Sequence, residues 1–210
     1  MHEWIAPALG VAVSPLPVAA MLLLLGGERA VAKGTSFWGA WVAGVAVPTA
    51  AFVLLAERLD GNEGAVRVIA VGEIAVGIVL ISVALWHGLG GARSGREPAW
   101  LLALDRAGTG RAAALALLLS ALNPKNLALM LAGSLLAVET GDEELAALGF
   151  VLVAVSAVSA LLGWRVLASR SSAAPLETLR RGAARHGRAA GLVLGLLIGV
   201  YFGLDGLRRL

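Results

Sequence analysis

Charged residues cut the chain into six apolar stretches, each close to the roughly 20 residues that a helix needs to cross a bilayer. They are Trp4–Leu25, Thr35–Ala56, Val66–Leu89, Ala112–Val138, Leu145–Leu167 and Ala189–Leu207. The pattern predicts an all-α polytopic membrane protein with six transmembrane helices. Composition agrees, because 59% of residues are hydrophobic and mean hydropathy is +0.84. A soluble domain of this length needs more charge to cover itself. Ala30-Val31-Ala32 has the form of a signal cleavage site. Yet His2 and Glu3 precede the first stretch instead of a basic cluster, and the stretch exceeds a signal core of about 7–15 residues. We read it as a retained helix.

Basic residues orient the spans. Arg29 and Lys33, then Arg93, Arg96, Arg106 and Arg111, then Arg165, Arg170, Arg180, Arg181, Arg185 and Arg188 fall in connections on one side. The other side carries Arg58, Arg67, Arg208 and Arg209 among Glu57, Asp60, Glu63, Glu139, Asp142, Glu143 and Glu144. The positive-inside rule places the first set in the cytoplasm and both termini outside a bacterial plasma membrane. The basic balance serves topology and anionic lipid, not nucleic acid. Pro98–Leu104 reads as a short interfacial helix. Ser169–Arg188 is a basic loop, with lipid docking as its functional alternative. Trp4, Trp86, Trp100 and Trp164 sit near span ends, as in an aromatic belt.

Two polar interruptions break this pattern. The fourth stretch contains Asn123-Pro124-Lys125-Asn126, and the first contains Ser14-Pro15-Leu16-Pro17. A lysine at a helix centre costs roughly 2.5–3.5 kcal/mol on insertion scales. Proline removes a helix hydrogen bond, and in hydrocarbon the freed carbonyl must find another partner. Each interruption lies mid-span in the first helix of a three-helix half. An odd number of helices inverts the second half, so the pattern predicts inverted repeats with broken first and fourth helices. The halves are residues 1–89 and 112–210 of one membrane domain, joined by a cytoplasmic connector at 90–111. The plainer alternative is a pair of proline kinks.

The chain resembles a known family at these residues. Asn-Pro-Lys in the fourth helix is typical of six-helix exporters of the LysE superfamily. The likeness is closer to its actinobacterial GAP or Sap branch, the glycopeptidolipid- and sulfolipid-addressing proteins. It rests on Ser14–Ala20, Phe37–Gly44, Pro98-Ala99-Trp100 with Asp105, and Leu119–Leu127. It fades over Glu139–Glu144 and Ser169–Arg188. The resemblance implies export of lipid or glycolipid, or its delivery to the cell surface. Export of lysine, other amino acids or cations is implied by sister families.

Few other side chains carry chemistry. Lys125 can pair with a carboxylate, sulfate or phosphate on a substrate, can exchange a proton when desolvated, or can pair with a membrane carboxylate. Asn123, Asn126 and Ser14 can serve carbonyls freed by the prolines. Glu73 is the carboxylate deepest in a span, and proton coupling, a wet interfacial position and pairing with Lys125 all remain open for it. His87 and Asp205 read as interfacial residues. Gly191, Gly195 and Gly199 form a close-packing face, either within the chain or as a homodimer seam.

The expected function is a secondary transporter exporting a lipid, glycolipid or other amphipathic substrate, with proton coupling through Glu73 or Lys125. The path is Ser14, Pro15, Pro17, Asn123, Pro124, Lys125 and Asn126, with Lys125 facing a cavity between the halves. The alternatives are a LysE-type small-solute exporter and a non-transporting scaffold for envelope lipid-synthesis or export proteins. The chain has no cysteine, no histidine cluster, no phosphate-binding Gly-Lys-Ser/Thr loop and no His-Glu-x-x-His. We therefore expect no enzyme, metal or cofactor.

Overall fold

A computed structural model describes residues 3–59, 63–89, 108–167, 192–193 and 196–208. The helices in chain order are α1 (Ile5–Ala12), α2 (Pro15–Gly26), α3 (Ala30–Leu59), α4 (Glu63–Leu89), α5 (Thr109–Ser120), α6 (Pro124–Val138), α7 (Glu143–Leu167) and α8 (196–208). Among the described residues every regular element is a helix. The predicted interfacial helix at Pro98–Leu104 and the Ser169–Arg188 loop lie outside them.

Over Ala30–Arg58 and over α7, single helices are long and apolar enough to cross a membrane. The first and fourth predicted spans are each two helices. α1 and α2 meet at 42°, and α5 and α6 at 60°. Taken as one span each, the pairs raise the number of spans to four. α4 and α8 overlap the third and sixth predicted stretches. Large apolar side chains such as Val47, Ile78, Leu118, Leu152 and Leu197 are exposed on these helices. That outward apolar surface suits lipid as solvent and marks a membrane-embedded chain.

The start of the second predicted span moves furthest. α3 starts at Ala30, not at Thr35, so Lys33 lies in its first turn and is buried instead of lying in an open loop. The connection before α3 is tight, turning at Arg29 with φ +54°.

α3 packs against α2, α5, α6 and α7, and α1 packs against α6 and α7. Small residues set the closest approaches. A Cβ at Gly133 of α6 would strike the Phe150 ring of α7, and one at Gly44 of α3 would strike the Ser120 hydroxyl of α5. Ser36 Oγ donates to the Thr109 carbonyl at 2.9 Å, so α3 and α5 run side by side in the same direction. α1 and α6 run oppositely, because Gly10 faces Leu129 while Ser14 faces Asn126.

The glycine face expected around Gly199 is an internal seam. A Cβ on Gly77 of α4 would lie 2.6 Å from the Gly199 carbonyl oxygen and 2.8 Å from the Gly203 nitrogen of α8. A Cβ on Gly206 would lie 2.6 Å from the Ala70 carbonyl oxygen. Gly191 and Gly195 lie outside the described residues. The aromatic belt also needs one correction. Trp86 and Trp164 are exposed, but Trp4 is partly buried against Gly149 of α7.

Gly77 faces backbone, which cannot move aside as a flexible side chain can. Gly77→Ala should lower stability by about 1–3 kcal/mol. Gly72 has open space around it, so Gly72→Ala should be neutral or gain up to ~1 kcal/mol of helix propensity. Thermal unfolding of both variants in detergent checks the contrast.

Candidate functional site

The two breaks share one way of stopping a helix. Ser14 and Asn123 take extended-type ψ angles of 119° and 115° as N-caps, and Pro15 and Pro124 follow at the first helical positions. Proline suits that position, since its missing N–H would have no helical partner. Pro17 removes a further donor from the first turn of α2. Fewer orphan N–H groups therefore remain at mid-span, where hydrocarbon offers them no partner. The Asn123 side chain satisfies another by accepting from Lys125 N at 3.0 Å. Asn123 thus serves an N–H, not a freed carbonyl as expected.

The carbonyls left behind need donors. Pro15 cannot serve the Val11 carbonyl, so Ser14 N donates to it instead, at 3.2 Å. That leaves the Gly10 carbonyl without its usual backbone partner. Lys125 Nζ donates to it at 3.0 Å, and Ser14 Oγ lies 3.2 Å from it. In the other break, Leu119 holds the corresponding place, four residues before the cap. Its carbonyl accepts from Asn126 Nδ2 at 2.7 Å. Two adjacent side chains at the start of α6 therefore serve one carbonyl in each break.

The clusters at the two breaks are joined directly. Lys125 Nζ also donates to Ser14 Oγ at 2.9 Å. The Ser14 hydroxyl lies 3.2 Å from Asn126 Oδ1, so its single hydrogen is shared between that oxygen and the Gly10 carbonyl. Ser14 and Asn126 are buried, and Lys125 is partly buried. Among the described residues the ammonium has neutral oxygens as partners and no carboxylate. It is bonded across the breaks, where the sequence predicted that it would face a cavity. The residues from both motifs thus converge on one cluster. Pro15, Pro17 and Pro124 shape its backbone, and Ser14, Asn123, Lys125 and Asn126 supply its polar atoms.

Glu73 lies on α4, but its side chain is outside the described residues, as is that of His87. Pairing of Glu73 with Lys125 therefore has no geometry here. No group of three or more potential metal ligands occurs among the described residues.

Several polar contacts around the breaks were not read from sequence. Ser120 Oγ donates to the Ala116 carbonyl at 2.7 Å beside Gly44. Thr49 Oγ1 donates to the Val45 carbonyl next to Pro48, and Ser134 Oγ donates to the Thr49 carbonyl at 3.2 Å. Trp38 Nε1 donates to Ser159 Oγ at 2.9 Å. Arg165 Nε reaches the Leu25 carbonyl near the end of α2 at 3.3 Å. The available signal was a hydroxyl or proline inside an apolar run, which does not name its partner.

These features define a class: a helical membrane protein in which two broken apolar helices meet through a buried polar cluster holding one ammonium. The family model SfLAP, described as Sap, sulfolipid-1-addressing protein, matches residues 5–208. The chain belongs to that family, whose name points to a membrane role in lipid export. Comparison with curated proteins and with solved structures gives no match.

Asn126→Leu should strand the Leu119 carbonyl and cost about 1–3 kcal/mol. Ser14→Ala and Lys125→Met remove two ends of one contact. Their double-mutant cycle should show a coupling of at least ~0.5 kcal/mol. Unfolding of the single and double variants in detergent measures both effects.

Proposed function

We propose that the protein is a secondary transporter that exports a lipid, glycolipid or other amphipathic substrate. The observation that carries this reading is the Lys125 ammonium, held between two broken helices by a hydroxyl and a carbonyl. Neutral partners leave its charge available to an anionic or oxygen-rich headgroup. Ser14 and the Gly10 carbonyl hold the place that such a headgroup would take. Membership of the sulfolipid-addressing family supports lipid as the cargo.

The transport reading uses six spans arranged as two inverted three-helix repeats, residues 1–89 and 112–210, with residues 90–111 as connector. Alternating access then pivots around the paired breaks. The antiparallel run of α1 against α6 and the matching cap-proline starts of α2 and α6 support this arrangement. Both termini face outward from the bacterial plasma membrane, following the basic bias of the connections. Proton coupling is assigned to Lys125 or Glu73, and the wider kinship to the LysE superfamily. A homodimer and contacts with envelope lipid-synthesis or export proteins complete the proposal. The protein acts without catalysis of its own.

The test is flux in liposomes. Purified protein is assayed with a fluorescent sulfated glycolipid, a neutral glycolipid and labelled amino acids, with and without a pH gradient. Wild type should move glycolipid, and two variants should each slow it at least about tenfold while remaining folded, Lys125→Ala by the loss of a charge-assisted contact and Pro124→Ala by restoring a backbone donor at the break. Unchanged flux in both variants contradicts the site. Amino-acid flux alone favours the small-solute exporter, and no flux at all favours the scaffold.

A further inference from the structure

α3 carries a buried indole donor that the cluster at the breaks does not use. Trp41 is fully buried, with an accessibility of 0%, and among the described residues its indole Nε1 has no hydrogen-bond partner. Indole N–H groups can only donate, and buried ones usually find an acceptor. Folded proteins leave few buried polar atoms unpaired, and each exception calls for a cause.

The placement of Trp41 suggests that cause. Its ring stacks on Phe37, with centroids 6.3 Å apart and planes inclined by 6°. It lies one helical turn before Gly44, where α3 comes closest to Ser120 at the end of α5. Trp41 and Gly44, three residues apart, share one side of α3. On α5, Ala112, Ala116 and Ser120 follow at four-residue spacing and are all buried. Small residues there leave room for the Phe37–Trp41 pair. Trp41 therefore stands in the layer next to the second break, in the same core as Met21 and Leu24 of α2.

We propose that Trp41 donates, through Nε1, to an oxygen of the transported headgroup as that molecule passes the break. This rests on the transport reading above. The partner is an acceptor-rich group, such as a sugar hydroxyl or ester, because the indole offers a single neutral donor. Phe37 holds the ring by stacking, so the donor waits pre-oriented in the core. Lys125 supplies charge to the headgroup, and Trp41 supplies a neutral hydrogen bond.

The variant that tests it is Trp41→Phe, which keeps an apolar ring and deletes the donor. Trp41→Met serves as a second replacement, since its flexible side chain fills an irregular gap differently from the smaller ring. Both are reconstituted full-length and assayed with the fluorescent sulfated glycolipid. At least one folded variant should show a KM for flux raised about 3- to 10-fold, the loss of one neutral hydrogen bond. Trp41→Phe lowers the melting temperature of the lipid-free protein only through the ring volume it removes, so the effect of lipid is measured against each variant's own lipid-free value. Added glycolipid should raise that melting temperature less than it does for wild type. A wild-type KM in both variants overturns the role of Trp41 and leaves the transport reading intact. A glycolipid-induced rise in melting temperature equal to wild type in both variants also overturns it. No flux in wild type overturns both proposals together.

Discussion

A helix broken inside hydrocarbon must hand its freed backbone groups to other protein atoms, because lipid accepts none of them. In this protein two breaks face that constraint at once, and they meet it jointly. Proline removes donors at the starts of α2 and α6. Lys125 and Asn126 then cover the Gly10 and Leu119 carbonyls. Ser14 links the two by contacting the Lys125 ammonium, the Gly10 carbonyl and the Asn126 amide oxygen.

The sharing is lopsided. Both breaks draw on polar side chains at the start of α6, while α2 continues with Leu16 and Pro17. Apart from the Ser14 hydroxyl, the first break therefore depends on the second half of the chain for its donor. Such dependence ties α1 to α6 more firmly than apolar packing alone, since lipid competes well for apolar surface but poorly for polar groups. The packing around the cluster follows the same logic. Gly10 has no side chain to keep Leu129 and Ile198 away, and Gly44 lets the Ser120 hydroxyl lie against α3.

Much of this was legible from sequence because polar atoms and prolines stand out in an apolar run. Ser14-Pro15 and Asn123-Pro124-Lys125-Asn126 pair by position, each mid-span in the first helix of its half. What could not be read was which atoms meet. The Gly10 and Leu119 carbonyls belong to the backbone, and every residue has one. The Gly77–Gly199 seam was half visible, because Gly199 stood in a periodic face but Gly77 did not. Trp41 stood out in the sequence only as part of Phe37–Gly44, since the lack of a partner is a property of the folded chain. Lys33 was misplaced because a charge near a span end usually marks a loop, whereas here the helix begins earlier and buries it. The role of Asn123 was misjudged because an asparagine before proline can cap an N–H as readily as serve a carbonyl.

The central claim is that the two breaks touch, and cross-linking addresses it most directly. The chain has no cysteine, so introduced pairs report without background. Ser14→Cys with Asn126→Cys replaces two side chains whose polar atoms lie 3.2 Å apart. Ser14→Cys with Leu148→Cys, the latter exposed on α7, is the control. In native membranes, oxidation or mercuric ion should join the first pair efficiently and the second hardly at all, read as a mobility shift after proteolysis between the halves. A folded double-cysteine protein in which 14 and 126 fail to join would contradict the account.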